Sequence, residues 1–262
     1  MDRFARRIVC LTEEPTEILC HLGQEDRIVG ISGFSIRPKG ISRRKPKISA
    51  FTSARYDAIV ALEPDLVIGF SDLQADLAAE LIRRGIQVAI FNQRSVDEIL
   101  ATLVQIGALV GEADAASAWA DELALRIDAI RTRPRMRRPK VYFEEWPDPL
   151  ISGIRWVEEL VTIAGGDPIF PELLDRGLAK DRILDPDEVV RRAPDLILAS
   201  WCGKKVKPER IVARAGWDAI PAVARGAIVE IRSSEILQPG PAALTDGLDR
   251  IVSAVDRWSE SI

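Results

Sequence analysis

The chain has 262 residues, enough for two modest domains or one large one. Hydrophobic residues make up 47% and charged residues 29%, at a net charge of −4, which fits a globular protein and argues against a nucleic-acid binder with a basic stripe. No apolar run reaches the ~20 residues of a membrane span, so membrane insertion is not expected. The basic start from Met1 to Arg7 has no apolar stretch or small-residue cleavage site behind it. As written it predicts a cytoplasmic protein, and an extracytoplasmic one if the start is truncated. Cys10, Cys20 and Cys202 are too few and too odd in number for a disulfide framework, and a reduced compartment fits them.

In chain order, Arg7–Leu11 reads as a buried strand. A helix follows at about Glu13–Leu22, with Thr12 as N-cap, acids and Pro15 in its first turn, and Gly23 past its end. His21, the single histidine, lies inside that helical pattern and is expected to be structural. Glu80–Arg84, Gly85 and the strand Gln87–Phe91 come next. Val96–Arg131 is nearly all helix-forming, and Asp114–Ile130 reads as one long helix broken only at Pro134. The cluster Arg131, Arg133, Arg135, Arg137, Arg138 and Lys140, interrupted by Pro134 and Pro139, reads as a solvated connector. The second half opens with a strand at Lys140–Phe143 and a helix at about Trp156–Ala164, ended by Gly165-Gly166.

An internal echo organises these elements. Residues 57–68, Asp-Ala-Ile-Val-Ala-Leu-Glu-Pro-Asp-Leu-Val-Ile, match residues 187–198, Asp-Glu-Val-Val-Arg-Arg-Ala-Pro-Asp-Leu-Ile-Leu. Each has an acid before a short helix, a stop before proline, and a branched or leucyl strand suited to a sheet covered on both faces. Ala222–Arg225, Gly226 and the strand Ile228–Ile231 repeat the pattern of 80–91. Strands alternating with helices predict an α/β protein of two similar lobes with parallel or mixed sheets. The expected division is an N-terminal α/β lobe at 1–111, a connecting helix and basic connector at 112–137, and a C-terminal α/β lobe at 138–262. The cleft between lobes is the expected place for a ligand.

Loops at the carboxyl ends of parallel strands should face that cleft. Glu144-Glu145-Trp146-Pro147-Asp148-Pro149 and Trp201-Cys202-Gly203-Lys204 are such loops, which makes Glu145, Trp146 and Trp201 candidate contacts. Trp156 fits either a wall or packing; Trp217 and Trp258 fit packing. A Cys202 thiolate near Lys204 has the chemistry to coordinate a metal or act as a nucleophile, but a small buried apolar cysteine is the favoured expectation. An enzyme would have to draw on Cys202, Lys204 and the Glu144-Glu145 pair. No Gly-rich phosphate loop, nucleophile elbow or Cys–His pairing accompanies them, so no catalysis is expected. No Cys/Asp/Glu cluster has metal-ligand spacing.

The run Arg7–Leu19 with Leu22-Gly23 and Arg27–Ser32 resembles the opening of the helical-backbone substrate-binding proteins of ABC importers, which carry cobalamin, haem and ferric siderophores. The likeness continues through Asp57–Ile68, Ile151–Gly153 with Ala164–Gly166, and Asp187–Leu198. The cobalamin binders look most similar. The resemblance implies two lobes joined by one long rigid helix, with a corrinoid held non-catalytically between them. It also implies an ABC importer permease as partner, docked by one acid on each lobe at Asp57 and Asp187. It places Phe34, Phe51 and Phe70 in the aromatic first-lobe loops and polar contacts in Ser233–Gly240. Glu235 and Gln238 could meet an amide fringe there, although this run has no counterpart to the aspartate and arginine of the relatives. A cytoplasmic corrinoid, haem or metal-chelate carrier or sensor without a transporter is the alternative. No nucleic-acid partner and no catalytic cofactor are expected.

Overall fold

The computed structural model describes residues 3–261. Met1, Asp2 and Ile262, at the ends of the expected lobes and of the basic start, lie outside the described residues. The described chain divides into two units. One holds the chain up to Gln93 together with Asp97–Leu123; the other holds Arg94–Val96 and everything from Ala124 onward. Both are α/β with a sheet of their own.

The first unit runs β1 (Ile8–Cys10), α1 (Glu13–His21), β2 (Ile28–Ser32), α2 (Ile41–Arg44), β3 (Lys47–Ala50) and β4 (Ser53–Ala54). It continues with α3 (Tyr56–Ala61), β5 (Leu66–Phe70), α4 (Ala75–Arg83), β6 (Val88–Phe91) and α5 (Val96–Leu109). The sheet order is β4-β3-β2-β1-β5-β6, parallel throughout except for the β3–β4 pair. Val9, Leu11, Ile48, Ile59, Val67, Leu77 and Leu81 form a core on one face of this sheet. Because chain order reverses at β1, the crevice at its carboxyl end is where an open parallel sheet ordinarily receives a ligand.

The expected run of helix over 96–131 is two helices, α5 and α6 (Ala113–Arg131). They part at Gly111, whose φ of +84° a side-chain-bearing residue rarely adopts. The helix α6 starts in the first unit and ends in the second. His21 is structural, as expected: its ring stacks on Trp119 of α6 with centroids 3.6 Å apart.

The second unit has β7 (Lys140–Pro147), β8 (Leu150–Ser152), α7 (Arg155–Ile163), β9 (Asp167–Pro168), α8 (Pro186–Arg192) and β10 (Leu196–Ala199). Then come α9 (Pro208–Val212), α10 (Pro221–Ala224), β11 (Ile228–Glu230), α11 (Ser233–Ile236) and α12 (Leu248–Glu260). Its sheet order is β11-β10-β7-β8, with β9 also paired to β7. The opening strand is longer than the sequence suggests. It runs on to Pro147 because its far end pairs antiparallel with β8, so Glu145 and Trp146 sit in a hairpin rather than in a crossover loop.

The internal echo is structural. Glu63 and Ala193, the residues before the matching prolines, both take left-handed backbone, with φ of +46° and +48°. Asp65 accepts from the backbone N–H of Arg6 (2.7 Å) and Arg7 (3.0 Å) at the head of β1. Asp195 accepts from Lys140 N (3.0 Å) at the head of β7. In each repeat the acid after proline thus clasps backbone N–H at the head of the neighbouring strand.

Two expectations hold in position and gain detail. Thr12 takes the N-cap position of α1, but its hydroxyl donates to Glu14 (2.9 Å) instead of accepting from the helix. The basic connector is mostly exposed but pinned: Arg133 and Arg135 donate to Asp256 of α12 at 2.8 and 2.7 Å, and Arg138 to Asp167 at 2.7 Å.

Candidate ligand-binding edges

On the first unit, the loops at the carboxyl edge of the sheet are laced together by polar side chains. Ser49 Oγ donates to Leu11 O (3.1 Å), and Gly33 N donates to Ser49 O (2.8 Å). Thr16 Oγ1 lies 3.5 Å from Ser35 Oγ. Gln74 accepts from Phe70 N (3.1 Å) and donates to Phe51 O (2.7 Å), joining the ends of β3 and β5. Gly69 makes that bridge possible: a Cβ there would collide with the Gln74 amide oxygen and lie 2.8 Å from Ile90 Cδ1. The loops after β1, β2, β3 and β5 therefore form one connected rim.

The rim presents apolar surface. Phe34 and Ile36, after β2, are 54% exposed, and Leu73, after β5, is 53% exposed. Phe51 is half-buried, while Phe70 is buried at the end of β5, with ring centroids 6.4 Å apart. Of the three expected phenylalanines, Phe34 is the open one and Phe70 is part of the floor. Ile36 and Leu73 escaped the sequence reading because neither is aromatic and neither sits in a periodic pattern.

Two carboxyls at the start of α1 belong to the same rim. Glu14 is buried, and loss of hydration pushes its carboxyl up to about 8, with the neighbouring Glu13 charge adding to the effect. Burial raises half-buried Glu13 to about 7. Sequence treated both only as acids favoured by the helix dipole; their burial comes from the packing of α1 against the sheet.

On the second unit, Glu144 is fully buried and accepts from Trp201 Nε1 (3.0 Å) and from Arg214 at 2.5 and 3.0 Å. This places Trp201, 2% exposed, inside the core with Tyr142 and Trp217 rather than on an open wall. Glu145 is bound by buried Arg182 at 2.8 and 3.1 Å. Trp146 is half-buried against the core and donates to Asp148 O (3.0 Å), while Lys204 Nζ lies 4.3 Å from its ring centroid. Trp156, Trp217 and Trp258 are buried, and Trp156 Nε1 donates to Ile236 O (2.9 Å).

Cys202 is exposed, which corrects the expectation of a buried apolar cysteine; its loop turns outward at Gly203, whose φ is +67°. The buried cysteine is Cys10, whose thiol burial pushes up to about 12. Glu235 is buried, 3.4 Å from Arg250, and Gln238 is half-buried. Asp57 is 99% exposed but bound by Arg84 (2.7 Å), and Asp187 is exposed in the first turn of α8. Among the described residues no three His, Cys, Asp or Glu side chains converge to hold a metal ion. No described helix is long and apolar enough to cross a membrane.

Two α/β units, each with loops gathered at the carboxyl edge of a largely parallel sheet, define a binding protein of the bilobal type. The model of the family described as "Periplasmic binding protein" matches residues 8–235, and the chain belongs to that family. A cobalamin-binding protein of Halobacterium salinarum is 26% identical over 255 residues, covering 92% of this chain and 67% of that protein. The periplasmic haem-binding protein RhuT of Roseiflexus has a TM-score of 0.81 at 23% identity, over 96% of this chain and 99% of that one. The periplasmic vitamin B12-binding protein BtuF of Vibrio cholerae has a TM-score of 0.77 at 19% identity, over 98% of each chain. At these identities the structural likeness is one of fold.

Proposed function

We propose that this chain is the substrate-binding component of an ABC importer and that its ligand is a cobalamin-like corrinoid, held without chemistry by carboxyl-edge loops. The observation that carries this reading is the rim of exposed Phe34, Ile36 and Leu73 on the first unit. Exposed apolar side chains at a strand-end edge suit a broad, partly apolar plate. Half-buried Trp146 supplies an aromatic surface on the second unit. The likeness to a cobalamin-binding relative favours a corrinoid over haem or a ferric chelate. Asp57 and Asp187 hold the same first-turn place in the two repeats, and we assign them to docking on a permease. Family membership supports an extracytoplasmic place of work.

The test is a calorimetric and absorbance titration with cyanocobalamin, dicyanocobinamide and haemin. A corrinoid should bind at micromolar or tighter Kd, and Phe34→Ala or Trp146→Ala should weaken it roughly tenfold, as loss of an aromatic wall does. Haemin binding with no corrinoid binding would refute the corrinoid assignment. A second reading is a carrier or sensor working without a transporter, and exposed Cys202 favours it because such a thiol survives in a reducing compartment. Cell fractionation decides between the two.

A further inference from the structure

The loop after β10, at the carboxyl edge of the second unit, carries a run of basic residues. The chain as a whole carries −4, yet between Lys204 and Arg214 stand Lys204, Lys205, Lys207, Arg210 and Arg214 against the single acid Glu209. Only Arg214 in this stretch is neutralised, by buried Glu144. Several arginines of the same unit do have carboxylates: Arg182 has Glu145, Arg192 has Glu172 and Glu188, and Arg250 has Glu235. Among the described residues, Lys204, Lys205 and Lys207 are exposed and none has a carboxylate within ion-pair distance.

These lysines are not on a loose flap. Their loop leaves β10 at Ser200, whose N–H donates to Glu144 O (2.9 Å), and is tied to the end of β11 by Val206 N donating to Glu230 Oε1 (2.9 Å). A longer contact, Gly203 N to Ser233 Oγ at 3.4 Å, joins it to α11. The loop thus stands at the carboxyl edge beside the hairpin that carries Trp146. There Lys204 Nζ rests over the Trp146 ring, 4.3 Å from its centroid. An ammonium over an aromatic face is attracted by the ring quadrupole, so the free protein keeps a cation on the aromatic surface offered to the ligand. A neutral plate stacking there must displace or strand that charge. A plate with anionic oxygens at its rim gives the charge a stronger partner through charge-assisted hydrogen bonds.

We infer that Lys204, with Lys205 and Lys207 beside it, reads negative charge on the ligand, so that this protein selects corrinoids whose rim carries anionic oxygens, carboxylate or phosphodiester, over neutral amide-fringed ones. The inference rests on the corrinoid reading above. The aromatic–apolar surfaces set the ligand's shape, and the lysine loop sets its charge.

The experiment compares three corrinoids of similar ring on the intact protein: dicyanocobyrinic acid, with carboxylates; cyanocobalamin, with one phosphodiester; and dicyanocobinamide, with neither. Each is titrated against the unchanged protein and Lys204→Gln and Lys204→Arg, at low and high salt. An anionic corrinoid should bind roughly tenfold tighter than dicyanocobinamide at low salt, about the value of one charge-assisted hydrogen bond. Lys204→Gln and high salt should each erase most of that advantage, and Lys204→Arg should keep it. Which anionic probe gains shows whether carboxylate or phosphodiester is read. Equal binding of all three, or a Lys204→Gln loss shared equally by all three, overturns the charge inference and leaves the corrinoid reading standing. If haemin alone binds, the corrinoid reading fails, and the same criterion is applied to haemin against its neutral dimethyl ester. No binding of any of these probes sinks both.

Discussion

Removing Arg214 should be the most damaging single change to the second unit outside its apolar core. Glu144 has no exposed surface, and its oxygens are met by Trp201 Nε1 and by two Arg214 nitrogens. Arg214→Met keeps the side chain's length and its place against Trp217, where the guanidinium carbon lies 4.4 Å from the ring centroid, but strands a buried carboxylate. Breaking a buried pair from one side costs 3–5 kcal/mol, and because the Arg214 side chain is 18% exposed the lower end, about 3 kcal/mol, applies. Glu144→Gln still accepts from Trp201 and should cost about 2 kcal/mol. The double variant should cost about 3 kcal/mol, leaving a coupling of about 2 kcal/mol. Urea unfolding followed by tryptophan fluorescence reads this directly, since five of the six tryptophans lie at Trp146 or beyond. A coupling below about 0.5 kcal/mol would refute the argument, because it would mean that water already solvates Glu144.

Two further predictions concern burial. Glu14 and Glu158 are raised by burial to about 8, so between an unfolded value near 4.5 and pH 8 the folded chain holds protons that the unfolded chain has released. Stability should therefore fall as pH rises through this window, by about 1.4 kcal/mol per pH unit for each group, and level off above it. Glu158→Gln should remove one proton's share of that slope in urea titrations from pH 5 to 9; an unchanged slope would show that Glu158 ionises freely. On the first unit, Gly69→Ala should cost roughly 1–3 kcal/mol, because its Cβ drives Gln74 off Phe70 and Phe51. Buried Cys10 is the probe: its rate of modification by a thiol reagent should rise about tenfold or more in the variant, and an unaltered rate would count against the bridge.

The strand and helix pattern was largely legible, because it rests on local signals. The echo at 57–68 and 187–198 marked two equivalent helix–proline–strand turns, and the strand expected at the end of the second copy is there at Leu196–Ala199. Tertiary pairing was less so: nothing local shows that β7 runs to Pro147, since only the antiparallel partner β8 keeps it extended. The candidate edges were legible as loops after strands, but the orientation of their side chains was not. Trp201 looked like a wall because it follows a strand, but an indole N–H with a buried carboxylate to meet turns inward. Phe34 is exposed, and so are Ile36 and Leu73, residue types that ordinarily signal core. Cys202 was expected inside by composition; the turn at Gly203 exposes it.

The helix α6 has a consequence for how the protein is made. Its first half completes the N-terminal unit: Trp119 covers His21, and Glu112, just before the helix, accepts from Gln24 (2.9 Å). During synthesis, domains fold as their residues emerge. The N-terminal sheet is finished at Phe91, but the clasp on its first helix is not translated until Trp119 has been added. A nascent chain that has emerged only as far as Gly111 would therefore hold a paired sheet beside an unlatched α1, open to proteases and chaperones until the first half of α6 arrives.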